Sequence, residues 1–260
     1  MRYFFRLAYN GRNYFGWQEQ PDQPSVQTVL TDCLQKLLRQ NIKLTGCGRT
    51  DTGVHARVYY AHTDLEEATA LSDKARFLGR LNSFLPSDIV VYDYFEVAPE
   101  AHARFDAISR TYKYYVGIQK DPFCSTTVLP MYGQKLNMAL MQQAANLLLS
   151  TEDFTSFSKL HTQTNNNLCK VSQAVWTEEG HQLVFTITAN RFLRNMVRAV
   201  VGTLIEVGRE KLSVEDFAHI IQQKDRCSAG QSVLAQGLFL HNVQYPYIVN
   251  ECYKPISNEQ

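Results

Sequence analysis

The 260-residue sequence predicts an α+β fold of two halves, residues 1–104 and 105–260. Short aromatic and β-branched runs alternate with longer segments of helical period, which indicates mixed strands and helices. The element order β-α-β-β-α-β occurs twice, with one extra helix in the second half. This order is that of the ferredoxin-like, or split βαβ, fold. Two such halves can set their antiparallel sheets side by side and leave a central cleft.

In the first half, the clearest element is a helix over 25–40. Its apolar residues recur at i, i+3 and i+4, and Ser25 is a favourable N-cap. A second helix is predicted over 72–85, where Pro86 ends it. The remaining β-prone runs predict strands over 3–9, 44–48, 58–63 and 89–97.

In the second half, a strand over 110–118 is followed by a helix over 137–149. Two β-prone runs, 171–178 and 183–189, flank Glu179-Gly180 and predict a hairpin. Helices are predicted over 192–207 and 213–222, and Ser213 with Asp216 resembles a capping box. The half closes with a strand over 234–243.

Composition excludes several classes of protein. The apolar fraction is 45% and the charged fraction 20%, as in ordinary folded proteins. The first apolar run is too short for a signal peptide and contains Arg6, and no stretch approaches the ~20 apolar residues of a membrane span. The six cysteines form no C-x-x-C pair, so we expect reduced thiols in a cytoplasmic protein.

The segment "GCGRTDTGVHA", residues 46–56, concentrates three glycines around the carboxylate of Asp51. Glycine suits unusual backbone angles and close approach, so the segment indicates a loop that presents this carboxylate. An Asp that merely caps a turn is the simplest alternative. The segment is denser in glycine and charge than such a turn requires.

Two other chemistries are disfavoured by what the sequence lacks. Asp51-Thr52-Gly53 matches the D-T-G of aspartic proteases, but that chemistry needs two carboxylates and the chain has no second D-T-G or D-S-G. A metal site formed by Asp51, His55 and His62 lacks any standard ligand spacing, so we expect no metal.

"GRTDTGVHA" resembles G-R-T-D-A-G-V-H-A, the catalytic-loop signature of the TruA-type tRNA pseudouridine synthases, with Thr52 where Ala is usual. Further segments resemble that family in the same order over nearly the whole chain. They are "YNGRNYFGWQEQ" (9–20), "SVQTVL" (25–30), "ARFDAISRTYKYYV" (103–116), "DFTSF" (153–157), "FLRNMVRAVVGTL" (192–204) and "AQGLFL" (235–240).

The resemblance implies an isomerase that converts uridine to pseudouridine at positions 38, 39 and 40 of the tRNA anticodon stem-loop. It implies tRNA as the partner, a homodimer, and no cofactor, metal or membrane. A non-catalytic tRNA-binding module on the same fold is the alternative. The net charge of +1 neither requires nor excludes a nucleic-acid partner.

The resemblance implies three catalytic residues. Asp51 matches the catalytic aspartate, acting as a nucleophile or as a general base on a flipped-out nucleotide. Arg198 matches the arginine that keeps this carboxylate ionised. Tyr112 matches the active-site tyrosine, which can stack on uracil and relay a proton.

Other residues are assigned binding roles. Arg49 matches the arginine that fills the space of the extracted base, although an ion pair with Asp51 is an alternative. Leu238 matches an apolar residue of the uracil pocket, although a core leucine is equally expected. Arg191, Arg194 and Arg198 are predicted on one helical face, either solvated or facing RNA. We expect RNA-binding roles for the basic residues Arg110, Lys113, Arg191 and Arg194.

Overall fold

The computed structural model describes residues 1–66, 71–159, 166–249 and 252–253. Within them, the protein is α+β, with five α-helices and a mostly antiparallel sheet. The chain divides into two compact units. The first comprises Met1–Ile108 and the described residues from Leu240 onward, and the second comprises Ser109–Phe239. The domain boundary at 104/105 stays a prediction.

The first unit is built around an antiparallel sheet in the order β4-β1-β3-β2. Its elements are β1 (Arg2–Tyr9), α1 (Val26–Leu38), β2 (Thr45–Gly46), β3 (His55–Asp64), α2 (Lys74–Phe84) and β4 (Ile89–Val97). Both predicted helices are present. The Ser25 hydroxyl caps α1 by accepting a 3.1 Å hydrogen bond from the Thr28 N–H.

The strands on either side of the glycine-rich segment differ from the prediction. β2 has two residues instead of the five predicted over 44–48, and β3 begins at His55 rather than at 58. The loop therefore runs directly into β3, and His55 at its end is buried. A strand whose first residues belong to a glycine-rich loop is hard to delimit by composition.

The second unit contains a sheet in which β5 pairs antiparallel with β8, and β8 with β7. Its elements are β5 (Ser109–Gly117), β6 (Leu129–Pro130), α3 (Met138–Leu147), β7 (Val171–Glu179), β8 (Gln182–Ala189), α4 (Met196–Gly208) and α5 (Val214–Gln223). β9 (Leu238–Gln244) begins in this unit and continues in the first. Two short strands follow, β10 (Ile248–Val249) and β11 (Cys252–Tyr253), which pair with each other.

Local signals in the second unit are confirmed. The β7–β8 hairpin turns at Gly180, where φ is +61°. The capping box of α5 is complete, because the Ser213 N–H donates to Asp216 Oδ2 (2.8 Å) and the Asp216 N–H donates to Ser213 Oγ (3.0 Å). The elements that were missed include the short β6 parallel to β5 and a 3₁₀ turn over Ala235–Gly237 that delays β9 to Leu238.

The predicted start of α4 at residue 192 is wrong. The helix begins at Met196, because Asn195 has a left-handed backbone with φ of 67°. Its side-chain Nδ2 donates to Ser232 Oγ at 2.6 Å. Arg191 and Arg194 therefore precede the helix, and the basic helical face predicted for them together with Arg198 does not form.

None of the helices in the described part of the chain combines the length and the apolar character needed to cross a lipid bilayer.

The imidazole of His62 lies in the core of the first unit, 5% exposed and stacked on Phe4 with ring centroids 5.8 Å apart. Its Nδ1 accepts a hydrogen bond from the Ala103 N–H at 3.1 Å. Burial lowers the pKa of His62 to about 4, and the nearby His102 and Arg2 act in the same direction. Two carboxylates oppose them, Asp64 and Asp106.

We expect His62 to make the protein sensitive to acid. The unfolded chain takes up this proton near pH 6.5, whereas the folded chain resists it down to about pH 4. Stability contributed by the neutral imidazole is therefore complete above about pH 6.5 and is lost as the pH falls towards 4. Urea unfolding should show a smaller loss between about pH 7 and pH 5 for His62→Gln than for the wild type. Equal losses would contradict this assignment.

Candidate active site

The glycine-rich loop connects β2 to β3 and carries Asp51 near its centre. The Cys47 N–H donates to Tyr60 O at 2.8 Å, and the Val54 N–H donates to Asp51 O at 3.1 Å, which closes a tight turn. Asp51 is half-buried, and the side chain of Arg49 is exposed. The loop therefore presents one acidic and one basic side chain from a backbone held by these hydrogen bonds.

A second segment, residues 9–17, which begins at the last residue of β1, braces this loop along its length. The Gly11 N–H donates to His55 Nδ1 at 3.1 Å, and the Gly53 N–H donates to Tyr14 O at 3.2 Å. The Trp17 N–H donates to the hydroxyl of Thr50 at 3.1 Å. The family-like segment 9–20 and the glycine-rich loop are thus packed against each other.

The glycines of the bracing segment are explained by this close packing. A Cβ at position 11 would lie 1.9 Å from Val54 O, and one at position 16 would lie 2.2 Å from Thr50 O. Gly16 also has φ of +86°, which an L-residue with a side chain rarely adopts. Both contacts are with backbone atoms, which cannot rotate away as a side chain would.

We expect Gly16→Ala to displace the loop. The added methyl would press on Thr50 O at the residue before Asp51, and the positive φ adds backbone strain. Overpacking and strain of this kind each cost about 1–3 kcal/mol. Chemical denaturation should show this loss, whereas Gly79→Ala in α2, where a Cβ meets no atom within 4 Å, should show none. Wild-type stability of Gly16→Ala would refute the proposed crowding.

Two aromatic rings form the floor beneath the loop. Trp17 and Tyr59 stack with centroids 4.1 Å apart, and both are buried. The Tyr59 hydroxyl donates to Gly48 O in the loop. Gly46 leaves room for this pair, because a Cβ there would lie 2.2 Å from the Tyr59 hydroxyl. Burial of such large rings stabilises the floor on which the loop rests.

In the second unit, Arg198 occupies the first turn of α4 and is half-buried. Its Nε donates to Val233 O at 2.7 Å, and its own carbonyl accepts from the Val233 N–H at 3.2 Å. Gly202, one turn further along α4, lets the chain approach closely, since a Cβ there would lie 2.0 Å from Gln231 O. The segment 230–234 therefore lies along the helix and orients the guanidinium.

Sequence reasoning missed the residues that secure the segment 230–234. Ser232 Oγ accepts from Asn195 Nδ2 (2.6 Å) and from Arg226 Nη2 (2.8 Å). Arg226 Nη1 also donates to Gly230 O at 3.2 Å. Asn195 and Ser232 are 37 residues apart, so no local period or motif could have indicated this network.

Tyr112 and Tyr114 on β5 have different surroundings, and the catalytic role of Tyr112 stays a prediction. Tyr112 is half-buried and meets Phe192 edge-on, with centroids 5.0 Å apart. Tyr114 is fully buried and donates to Leu234 O at 2.7 Å, as a core residue does. Burial raises the pKa of Tyr114, and the positive charge of Arg198 partly offsets this. Tyr114 thus helps to hold the segment that orients Arg198.

Two of the predicted RNA-binding arginines meet at Asn190, which follows β8. Arg110 Nη1 donates to Asn190 O at 3.0 Å, and the Arg191 N–H donates to Asn190 Oδ1 at 2.8 Å. Lys113 instead forms an exposed 3.5 Å ion pair with Glu179. Arg194 is exposed, and its carbonyl accepts from the Lys159 N–H at 3.1 Å.

The predicted site residues are distributed over both units. Asp51 and Arg49 belong to the first unit, whereas Tyr112, Arg198 and Leu238 belong to the second. Leu238 is buried at the start of β9. The pairing of Asp51 with Arg198 and the uracil contact of Leu238 stay predictions. Among the described residues, no group of three or more His, Cys, Asp or Glu side chains is arranged to hold a metal ion.

Comparison with known proteins supports the family resemblance. A family model described as tRNA pseudouridine synthase matches residues 144–246. The chain is 51% identical to tRNA pseudouridine synthase A of Parabacteroides distasonis, covering 94% of this chain and 96% of that protein. It is 37% identical to tRNA pseudouridine synthase A of Clostridium acetobutylicum, covering 92% and 97% respectively.

Similarity to solved structures is weak. A crystal structure of a Cbf5-Nop10-Gar1 complex matches with a TM-score of 0.33 and 13% identity, over 78% of this chain and 54% of that chain. A score this low leads to no further conclusion. The sequence relatives, by contrast, are similar along almost their whole length. The chain therefore belongs to the tRNA pseudouridine synthase A family.

Proposed function

We propose that this protein isomerises uridine to pseudouridine in tRNA. In this reaction the bond from uracil N1 to ribose C1′ breaks and a bond from C5 to C1′ forms. N1 gains a proton and the hydrogen at C5 leaves as one, so that the overall change is an isomerisation. The observation that carries the proposal is the presentation of Asp51 on a braced loop in a chain 51% identical to a protein of that name.

Asp51 is the reacting carboxylate in this proposal, attacking the ribose or removing a proton from it. Either role requires the carboxylate to be held in a fixed geometry. Asp51 is half-buried and lies on a braced loop, which meets this requirement. Arg198, oriented through Val233 O, supplies the positive charge that favours the ionised carboxylate. Tyr112 stacks on the extracted uracil, and its phenol relays a proton.

Arg49 and Leu238 complete the nucleotide site. Extraction of a base costs a few kcal/mol of unstacking, and the planar guanidinium of Arg49 can fill the space left in the helix. Its exposed position at the loop suits this role. Leu238 provides an apolar wall for uracil. No metal or cofactor takes part in the proposed chemistry.

Phosphate contacts fall to the basic residues of the second unit: Arg110, Lys113, Arg191 and Arg194. The guanidinium of Arg110 is held at Asn190 O, and that of Arg191 donates to Asn166 Oδ1 at 3.3 Å. Such contacts supply affinity and salt dependence rather than sequence choice. The loss of the predicted helical face does not remove this role, because it depends on positive charge rather than on helical spacing.

The proposed architecture has two ferredoxin-like halves whose sheets flank a central cleft, in a cytoplasmic homodimer. The order β4-β1-β3-β2 in the first unit supports the first half, since it is the strand order of that fold. In the second unit, the pairing of β5 with β8 and of β8 with β7 has the same pattern.

The proposed substrate positions are uridines 38, 39 and 40 of the anticodon stem-loop. Transcripts that carry uridine at only one of these positions, with cytidine at the other two, test this directly. We expect pseudouridine at each of the three after digestion to nucleosides, and none in a transcript with cytidine at all three. Modification of that last transcript would reject these positions, and an absence of product from all bound transcripts would favour a binding module.

A further inference from the structure

We infer that the hydroxyls of Thr50 and Tyr9 form a positioning pair that fixes the backbone from which Asp51 projects. The two oxygens lie 2.9 Å apart, and Thr50 directly precedes Asp51 in the chain. This inference rests on the proposed catalytic role of Asp51. It adds two residues, one on β1 and one in the loop, that act through Asp51 and touch no substrate.

The Thr50 hydroxyl is the centre of a buried hydrogen-bond group. Its Oγ1 accepts from the Trp17 N–H at 3.1 Å and shares a further hydrogen bond with Tyr9 Oη. Thr50 is 8% exposed and Tyr9 4%, so solvent does not compete for these bonds. A buried polar group that loses its partner destabilises the fold, so each of these hydroxyls needs the other.

The backbone carbonyl of Thr50 is constrained as well as its side chain. Its oxygen lies so close to Gly16 that a Cβ there would be 2.2 Å away. The bracing segment 9–17 therefore fixes Thr50 in two ways. Its hydroxyl is held by hydrogen bonds, and its carbonyl is held by steric contact with Gly16. The peptide that leads into Asp51 has little freedom to rotate.

The chain is also fixed after Asp51. The Gly53 N–H donates to Tyr14 O, and His55 Nδ1 accepts from the Gly11 N–H. As an acceptor at Nδ1, a buried neutral His55 carries its proton on Nε2. One segment therefore holds the loop on both sides of the carboxylate.

Loss of the pair should lower the rate of the chemical step more than tRNA binding. A displacement of about 1 Å at a reacting group can cost about 10²-fold in rate. We expect Thr50→Val to reduce the single-turnover rate of pseudouridine formation about 10- to 100-fold, with the tRNA Kd changed less than about twofold. Thr50→Ser keeps the hydroxyl and should retain a rate within about threefold of the wild type.

Tyr9→Phe removes the other oxygen while the ring stays in the core. Because both substitutions break the same hydrogen bond, the double variant Tyr9→Phe with Thr50→Val should be less impaired than the product of the two single effects. Thr52→Val is the matched control, since this threonine flanks Asp51 on the other side with an exposed side chain. We expect it to keep the wild-type rate.

The experiment measures single-turnover rates, tRNA binding and urea midpoints for these variants, with Asp51→Asn as the inactive reference. A wild-type rate for both Thr50→Val and Tyr9→Phe, beside an inactive Asp51→Asn, would overturn the inference and leave the proposed function intact. Equal losses for Thr50→Ser and Thr50→Val would also overturn it, because the hydroxyl would then not matter. An active Asp51→Asn would instead reject the proposed function. If Thr50→Val does not fold, Tyr9→Phe and Thr50→Ser decide: a wild-type rate for Tyr9→Phe, or a loss in Thr50→Ser as large as that in Tyr9→Phe, would overturn the inference.

Discussion

Replacement of Asp51 with Asn is expected to abolish pseudouridine formation and to leave tRNA binding unchanged. The amide has nearly the same shape as the carboxylate, so the braced loop can keep its conformation. It carries no negative charge and neither attacks ribose nor accepts its proton. Removal of a reacting group costs at least about 10³-fold in rate. Single-turnover conversion at saturating enzyme measures the chemistry, and filter binding measures the affinity.

The control for Asp51→Asn is Thr52→Ala, which introduces the alanine usual at this position in the family signature. The Thr52 side chain is exposed and precedes Gly53 in the tight turn. We expect this variant to retain activity. If Asp51→Asn converted tRNA at a rate near that of the wild type, another group would have to perform the chemistry and the site would be assigned wrongly.

Replacement of Arg198 with Met is expected to have the second-largest effect, a loss of at least about 10²-fold in the single-turnover rate. Methionine keeps the apolar stem of the side chain but removes both the positive charge and the Nε bond to Val233 O. Arg198→Lys restores the charge without the planar fork. We therefore expect Arg198→Lys to recover only part of the lost rate.

Arg209→Met is a matched control, because it removes an arginine at the other end of the same helix. Arg209 pairs with Glu206 at 2.7 Å and bonds to Gln134, and both contacts are exposed. We expect normal rates from this variant. A normal rate from Arg198→Met, in a protein that folds as the wild type does, would contradict the electrostatic role of Arg198.

Elements governed by local signals were predictable from the sequence. The Ser25 cap, the Ser213–Asp216 capping box and the Gly180 turn depend on residues within a few positions of each other. The repeated order of strands and helices follows from hydrophobic period together with β-prone composition and turn signals. The segment around Asp51 could also be recognised from the sequence, because its glycines and charged residues lie close together in the chain.

Features that depend on distant residues were not predictable. The late start of α4 arises from Asn195, whose partner Ser232 is 37 residues away. The pairing of Tyr9 with Thr50 spans 41 residues, and neither residue type by itself suggests it. The glycines at 11 and 16 were visible in the sequence, but the backbone contacts that require them were not. Such contacts are a property of tertiary packing, which no local pattern encodes.

The central claim is that this chain isomerises uridine and does so with Asp51. The measurement that tests it most directly is tritium release from tRNA transcripts labelled at uracil C5, with the wild type and Asp51→Asn side by side. Formation of the new carbon–carbon bond must expel that hydrogen. We predict release with the wild type and none with the variant. No release from wild-type protein on transcripts that it binds would contradict the claim and identify a non-catalytic tRNA-binding module.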